Sequence, residues 1–184
     1  MKQLYILRHA QAAGTPVGGT DKDRELTAQG VSDAKALGAA MAAAEFLPEL
    51  VLCSPAVRTR QTLRSALAAL EEISGISPVI EYPEALYNAP QGDYKAALQG
   101  VVADVASVFL VGHNPGIHAL AASLVNEDHP SMVSRLAAGY APGTLSAIRC
   151  DIADWRDLQP YENGLIAILE ATEYNGTDRP TRWM

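Results

Sequence analysis

The sequence predicts an α/β fold of three layers, in which a mostly parallel sheet with an antiparallel edge lies between two layers of helices. Short apolar runs alternate with amphipathic segments along most of the 184 residues, which is typical of this class. Several of these runs are continuously apolar, as expected for parallel strands that are covered on both faces. With 48% hydrophobic residues, the chain is expected to form a single domain over residues 1–184.

Six strands are predicted, and the last two differ from the others. The first four are LYILRH (4–9), LVLCS (50–54), PVIEY (78–82) and SVFLVGH (107–113). The last two, TLSAIRCD (144–151) and GLIAILEA (164–171), follow one another across a polar loop that contains Trp155. This order, without a helix between them, predicts an antiparallel pair at the edge of the sheet.

Four helices are predicted between the strands, because apolar residues recur there with a period near 3.6. They cover residues 26–46, 55–73, 93–105 and 115–125. The apolar face of the first is expected to carry Val31, Ala34, Leu37, Met41 and Ala44. That of the second is expected to carry Leu63, Leu67, Leu70 and Ile73.

Charge and composition narrow the class of partner. A formal charge of −7 argues against nucleic acid or an anionic membrane surface as the main partner, although a small cationic pocket is compatible with it. The N-terminal residues lack the apolar region of a signal peptide, and no run reaches transmembrane length. Cys53 and Cys150 form no paired motif and are expected to be small core residues. We therefore expect a cytoplasmic protein.

Polar residues end three of the predicted strands. Arg8-His9 ends the first, Ser54-Pro55 the second and His113-Asn114-Pro115 the fourth. In such sheets ligands bind beyond the carboxyl ends of the strands. Ser54 and Asn114 each precede a proline, so both are expected to cap a helix whose N-terminus faces an anion. Arginine and imidazole groups at such a place predict a phosphate pocket.

Each of these residues also has a structural interpretation. A single histidine after a strand is more often a hydrogen-bonded structural residue than a catalytic one. Arg8 could be a surface anchor, and helical periodicity does not decide whether Arg58 or Arg60 of the VRTR segment faces the pocket. The prediction of a phosphate pocket rests on three strands that all end in polar groups able to bind the same anion.

Four motifs resemble those of the histidine phosphatase superfamily, the phosphoglycerate mutase-like proteins, and they occur along the chain in the same order as in that family. LRHAQA resembles its Arg-His-Gly signature, and LTAQGVSDA resembles its Leu-Thr-x-x-Gly segment. CSPAVRTRQT matches its Ser-Pro-x-x-Arg segment, and FLVGHNPG resembles the segment of its second histidine. Because PEALYNAPQGD stands in place of a long inserted cap, the chain is most similar to the small SixA-type phosphohistidine phosphatases.

The resemblance implies roles for four residues. His9 would be the nucleophile that becomes phosphorylated, and His113 would be its catalytic partner. Arg8, Arg58 and His113 would bind the phosphate. The implied function is metal-independent phosphoryl transfer to water, with phosphohistidine in proteins as the substrate.

Departures from the family pattern affect the proton donor. Ala10 replaces the usual glycine and is expected to crowd the turn, while Gln11 replaces a frequent acidic residue and is expected to bind phosphate by hydrogen bonding. Asn114 stands where the acid phosphatase branch has its aspartate. The remaining candidate acid is Glu84, since mutase-type members place a glutamate in this segment. Glu84 could equally be a solvated carboxylate at a strand end.

Several alternatives stay open at this stage. The enzyme could act on small phosphate esters as a phosphatase or a mutase, or the chain could be an inactive module that binds phosphate. No Gly-x-Gly-x-x-Gly follows the first strand, which disfavours a dinucleotide-binding domain. His118 and His129 show no metal-ligand spacing with His113, so neither a metal nor another cofactor is expected. Whether the C-terminal tail docks through Trp183 is left open.

Overall fold

A six-stranded sheet forms the centre of the computed structural model, which describes residues 1–175. The strands are β1 (Lys2–Arg8), β2 (Leu50–Cys53), β3 (Val79–Glu81), β4 (Ser107–Gly112), β5 (Leu145–Cys150) and β6 (Gly164–Leu169). Their order is β3-β2-β4-β1-β5-β6. β1 to β4 pair in parallel, whereas β5 pairs antiparallel with both β1 and β6. The predicted sheet with an antiparallel edge is confirmed.

Helices cover both faces of this sheet. They are α1 (Ala28–Ala43), α2 (Val57–Ser74), α3 (Gln91–Gln99), α4 (Gly116–Leu124), α5 (Pro130–Ala138) and α6 (Ala171–Tyr174). Alternate residues of β1 face opposite cores because side chains alternate along a strand. Leu4 and Ile6 belong to the core formed with α3, α4 and α5, whereas Tyr5 and Leu7 belong to the core formed with α1 and α2. The fold is the predicted three-layer αβα sandwich.

A close approach between α1 and α2 organises one of these layers. A Cβ atom at Gly38 would lie 2.0 Å from the carbonyl oxygen of Ala66, so only glycine fits there without a shift of the backbone. The expected apolar faces are buried in the middle of both helices. Val31 and Ile73, however, are exposed, because each lies in a terminal turn of its helix.

Several features differ from the sequence-based expectations, including α6, which was not predicted. α5 was not predicted, because residues 130–138 follow a polar segment rather than a strand. β3 spans only three residues, all exposed at the edge of the sheet. Trp155, placed by the sequence in a polar loop, is fully buried, and its indole Nε1 donates a hydrogen bond to the carbonyl of Val105 at 2.8 Å. This buried donor explains why a large aromatic residue occurs in an otherwise polar connection.

Two sequence-based expectations concern membranes and the C-terminal tail. Within residues 1–175, none of the helices combines the length and the apolar character needed to cross a bilayer. The tail with Trp183 lies outside the described residues.

Candidate active site

The carboxyl ends of three neighbouring strands meet at one edge of the sheet. Arg8, the last residue of β1, is level with Gly112 of β4, and Cys53 of β2 is level with Val111 of β4. A cavity of about 500 Å³ opens at this edge. It is lined by Arg8, His9, Gln11, Ala12, Asp21, Arg24, Arg58, Asn88, His113, Asn114, Pro115 and Pro142. The structure therefore brings together Arg8, His9, Arg58 and His113, which we call the pocket floor.

His9 is buried and its ring orientation is fixed. Its Nδ1 lies 2.8 Å from the carbonyl oxygen of Ala10, which can only accept, so Nδ1 carries the proton and Nε2 keeps its lone pair. Desolvation, together with the charges of Arg58 and Arg8, lowers the pKa of His9 to about 4, against the opposing effect of the bond to the Ala10 carbonyl. The ring is therefore neutral at physiological pH, with a nucleophilic Nε2.

The turn after His9 is tied to α2. The backbone N–H of Ala10 donates to the hydroxyl of Thr62 at 3.0 Å, and that hydroxyl donates to the carbonyl of Arg58 at 2.7 Å. The methyl group of Ala10 packs with Leu26 and Ala34. The alanine that replaces the family's glycine thus fills a small apolar cluster.

A third segment, between α5 and β5, holds the turn at His9 from the other side. The backbone N–H of Gly143 approaches the carbonyl oxygens of Arg8 and His9 at 3.2 and 3.1 Å. Gly143 has a φ of 83°, a left-handed conformation that favours glycine. The main chain around His9 is therefore held from two sides.

His113 lies beside His9, with 5.3 Å between the ring centroids. Its Nε2 is 2.7 Å from the hydroxyl oxygen of Ser54, and its backbone N–H donates to the hydroxyl of Tyr94 at 2.9 Å. When Ser54 donates to Nε2, the neutral ring carries its proton on Nδ1. This Nδ1 is buried and without a partner within residues 1–175. Desolvation and the charge of Arg58 lower the pKa of His113 to about 3.

The expected helix caps at Ser54 and Asn114 are wrong. α2 begins at Val57 with Ala56 as its N-cap, and α4 begins at Gly116 with Pro115 as its N-cap. The two side chains make other hydrogen bonds instead. Ser54 contacts His113, and the amide Nδ2 of Asn114 donates to the carbonyl of Tyr140 at 3.0 Å. Both polar groups therefore support the pocket rather than a helix end.

The two arginines of the floor are each anchored at one end. Arg8 donates from Nη1 to the carbonyl of Tyr140 at 2.7 Å, and desolvation lowers its pKa. Arg58 donates from Nη1 to the carbonyl of Asp21 at 2.6 Å and from Nη2 to the Asp21 carboxylate at 3.0 Å. Within the described part of the chain, the buried Nε of each arginine has no partner. Anchored guanidinium groups with unused N–H donors can bind phosphate oxygens.

The choice between Arg58 and Arg60, which periodicity left open, is clear in the structure. Arg58 is 3% exposed and lines the cavity. Arg60 is exposed, and its guanidinium lies over the ring of Tyr82, 5.1 Å from the centroid. Gln11 also lines the cavity. Its amide oxygen accepts a hydrogen bond from the hydroxyl of Thr27 at 2.8 Å, which leaves the amide N–H groups for a ligand.

Glu84 does not join the pocket floor. Its carboxylate is 2.7 Å from Nζ of Lys22, its side chain is 76% exposed, and it does not line the cavity. The short 3-10 turn Glu84–Leu86 instead buries Leu86 and is followed by Tyr87, whose ring lies edge-on to that of His113.

Asp21 is the one carboxylate among the described residues that line the cavity, and sequence reasoning missed it. It lies in the 3-10 turn Asp21–Asp23, where no periodicity or motif marks it. Besides Arg58, its carboxylate accepts from Arg24 at 3.2 Å and from the hydroxyl of Tyr87 at 2.9 Å. Desolvation raises the pKa of Asp21, but the hydrogen bonds from Tyr87 and Arg24 and the charge of Arg58 outweigh this effect. The pKa is lowered to about 2. We call the turns 21–24 and 84–88 the pocket rim.

No group of three or more metal-binding side chains occurs within residues 1–175. Whether the chemistry needs a metal is a separate prediction, which chelation would test.

Comparison with known proteins gives consistent results. A sequence model described as histidine phosphatase superfamily (branch 1) matches residues 4–84. An uncharacterized protein of Mycobacterium tuberculosis is 30% identical over 156 residues, covering 84% of this chain and 92% of the relative.

Two solved structures are also similar. A proposed phosphohistidine phosphatase SixA from Nakamurella multipartitia is 30% identical with a TM-score of 0.78, over 92% of this chain and 95% of the other. A second one, from Agrobacterium tumefaciens, is also 30% identical, with a TM-score of 0.76 over 92% and 97% of the two chains.

Proposed function

This chain belongs to the histidine phosphatase superfamily and is a phosphatase, and on that premise we propose that it removes phosphoryl groups from phosphohistidine in proteins. The reaction would proceed through a covalent intermediate on His9. The proposed partners are phosphorylated proteins. Nucleic acid is not proposed as a partner.

The first step is attack by His9 on phosphorus. The neutral ring, with Nδ1–H bound to the Ala10 carbonyl, offers the lone pair of Nε2. A bond forms between Nε2 and phosphorus, and the bond from phosphorus to the substrate's nitrogen breaks with its electron pair going to that nitrogen. Arg8, Arg58 and His113 stabilise the charge of the transferring phosphoryl group.

The second step is hydrolysis of phosphorylated His9. A water oxygen attacks phosphorus, the bond to Nε2 breaks, and the electron pair returns to the imidazole. The products are inorganic phosphate and neutral His9, with the Nδ1 proton still donated to Ala10. His9 is thereby ready for another cycle.

The observation that carries the choice of phosphohistidine is that the described residues lining the cavity include no protonated carboxyl group. Among the described residues that line the cavity, Asp21 alone is a carboxylate, and its low pKa keeps it ionised. An alkoxide leaving group needs a proton, which a well-placed acid supplies with a gain of roughly 10²–10⁴-fold. An imidazole whose other nitrogen is already protonated leaves as a neutral molecule and does not need one.

The testing experiment is a substrate screen with the purified protein. Proteins phosphorylated on histidine should be hydrolysed with a higher kcat/KM than a panel of alkyl and sugar phosphates. A faster reaction on one of the small esters would replace the proposal with a small-molecule phosphatase, and transfer of the phosphoryl group to a second ester would indicate a mutase.

We also propose that residues 1–184 form one domain without a large cap insertion. In support, the described chain between α2 and β4 contains only β3, the turn Glu84–Leu86 and α3. A cytoplasmic location is proposed as well. Both cysteines are buried and free, which suits a reducing compartment.

A further inference from the structure

Asp21 combines two properties that no other described residue of the cavity shares. It carries a negative charge where a phosphoryl group is expected to bind, and its side chain is 45% exposed while Arg58 beside it is almost fully buried. Asp21 thus contacts the buried floor and is also open to solvent. The part of a substrate that extends from the phosphoryl group towards solvent would lie next to it.

The carboxylate of Asp21 has room for one more donor. An ionised carboxylate offers about four acceptor positions on its two oxygens. Within residues 1–175, Oδ2 accepts from Arg58 and Tyr87, whereas Oδ1 accepts only from Arg24, at 3.2 Å. Oδ1 can therefore accept a second hydrogen bond from a ligand.

Phosphohistidine presents a donor that phosphate esters lack. One ring nitrogen carries the phosphoryl group, and the other, when protonated, is an N–H donor with a share of positive charge. A phenyl or alkyl ester has no such donor and leaves as an anion, which an ionised carboxylate repels.

We propose that Asp21 determines substrate specificity by accepting a hydrogen bond from the second ring nitrogen of the phosphohistidine side chain. This inference rests on the proposed function. In the transfer step the phosphorus–nitrogen bond breaks, its electron pair goes to the leaving nitrogen, and the proton stays on the nitrogen that faces Asp21. The leaving imidazole is neutral, and no proton passes through the carboxylate.

The test is the ratio of two kcat/KM values in an isosteric variant. For Asp21→Asn, kcat/KM on a phosphohistidine protein should fall roughly tenfold, because a hydrogen bond to a charged acceptor is replaced by a weaker one. On p-nitrophenyl phosphate, which has a ring but no N–H donor, kcat/KM should stay level or rise. Any effect that acts through Arg58 is common to both substrates and cancels in the ratio.

Asp157→Asn is the matched control. Asp157 belongs to another short 3-10 turn, Trp155–Asp157, is exposed and does not line the cavity. It should leave both kcat/KM values unchanged. Equal losses on both substrates in Asp21→Asn would overturn the inference, as would an unchanged rate on phosphohistidine. A wild-type protein that hydrolyses p-nitrophenyl phosphate but no phosphohistidine would instead refute the proposed function.

A measurement on the unaltered chain covers the case in which the variant does not fold. With tungstate bound as a phosphate mimic, imidazole at pH 6 should bind several-fold more tightly than phenol, as followed by NMR titration. Equal affinities for the two rings would overturn the role of Asp21.

Discussion

The pocket floor and the pocket rim are built by different parts of the fold. The floor residues end β1, directly follow β1 or β4, or lie in the first turn of α2, and His9, Arg58 and His113 are at most 9% exposed. The rim consists of two short turns whose charged residues contact one another, as Lys22 does with Glu84. Strand ends hold the floor side chains rigidly, whereas the rim consists of turns, the kind of segment that commonly carries binding contacts on a rigid scaffold.

The largest effect is expected from a substitution of His9 in the pocket floor. His9→Ala should reduce turnover by roughly 10⁴-fold or more, because the substitution removes the Nε2 lone pair that is proposed to attack phosphorus. Acid-labile, base-stable phosphorylation should be found on the wild-type protein during turnover and should be missing from the variant, as measured by rapid quench and mass spectrometry. Wild-type turnover in a folded His9→Ala protein would contradict the assignment of the nucleophile.

The second-largest effect concerns the planar geometry of the Arg58 guanidinium group. Arg58→Lys should lower kcat/KM by roughly 10²-fold, since an ammonium group cannot reproduce the planar fork of donors. Arg60→Lys is the matched control two residues along the same helix. It should change kcat/KM by no more than about twofold, as is usual for exposed positions. Similar losses in both variants would show that the loss does not come from the fork of donors that Arg58 presents to the pocket.

A smaller effect is expected where the floor depends on a supporting hydroxyl. Ser54→Ala should lower kcat by roughly tenfold, because one hydrogen bond to His113 is lost. The ¹⁵N chemical shifts of His113 should also change, which would report an altered proton position on the ring. Ser74→Ala removes a hydroxyl that bonds to the carbonyl of Leu70 in α2 and should change neither quantity.

The free energy of unfolding should depend on pH through His9 and His113. Their pKa values, about 4 and about 3, lie below the ordinary 6.5, so the unfolded chain binds more protons once the pH falls below about 6.5. The free energy of unfolding should therefore be highest above that pH and decline towards pH 4. Urea titrations would measure this decline, which should be shallower in His113→Asn. An equally steep decline in that variant would exclude His113 as a source.

The smallest expected effect concerns the rim. Glu84→Gln should change kcat/KM on phosphohistidine by less than about twofold, because this exposed ion pair lies outside the cavity. A strong loss on phosphomonoesters alone would restore Glu84 as their proton donor. A ligand-induced movement of the turn Glu84–Leu86 would then be required.

The sequence predicts the floor better than the rim for a physical reason. Apolar runs mark β1 and β4, and the polar residues at their ends are brought to one edge by the parallel arrangement. Arg58 could be chosen over Arg60 only through the family resemblance. Asp21 belongs to a turn with no hydrophobic period, and its role depends on contacts with residues distant in sequence, which no local pattern encodes.

Local rules also fail where side chains have a stronger partner. Ser54 and Asn114 have the residue types of helix caps, yet each hydrogen-bonds within the pocket instead. Trp155 lies in a polar stretch but fills the core, since only the folded chain brings the Val105 carbonyl to its indole. In each case a long-range contact outweighs the local preference.

The position of β1 within the sheet has a consequence for hydrogen exchange. β1 is hydrogen-bonded on both sides, to β4 and β5, so the strand that carries His9 has no free edge from which to fray. Its amides should exchange only through openings that approach global unfolding. The turn Asp21–Asp23, held largely by side-chain contacts, can open at a far lower free energy. The rim can therefore open many times while the backbone around His9 stays fully protected from exchange.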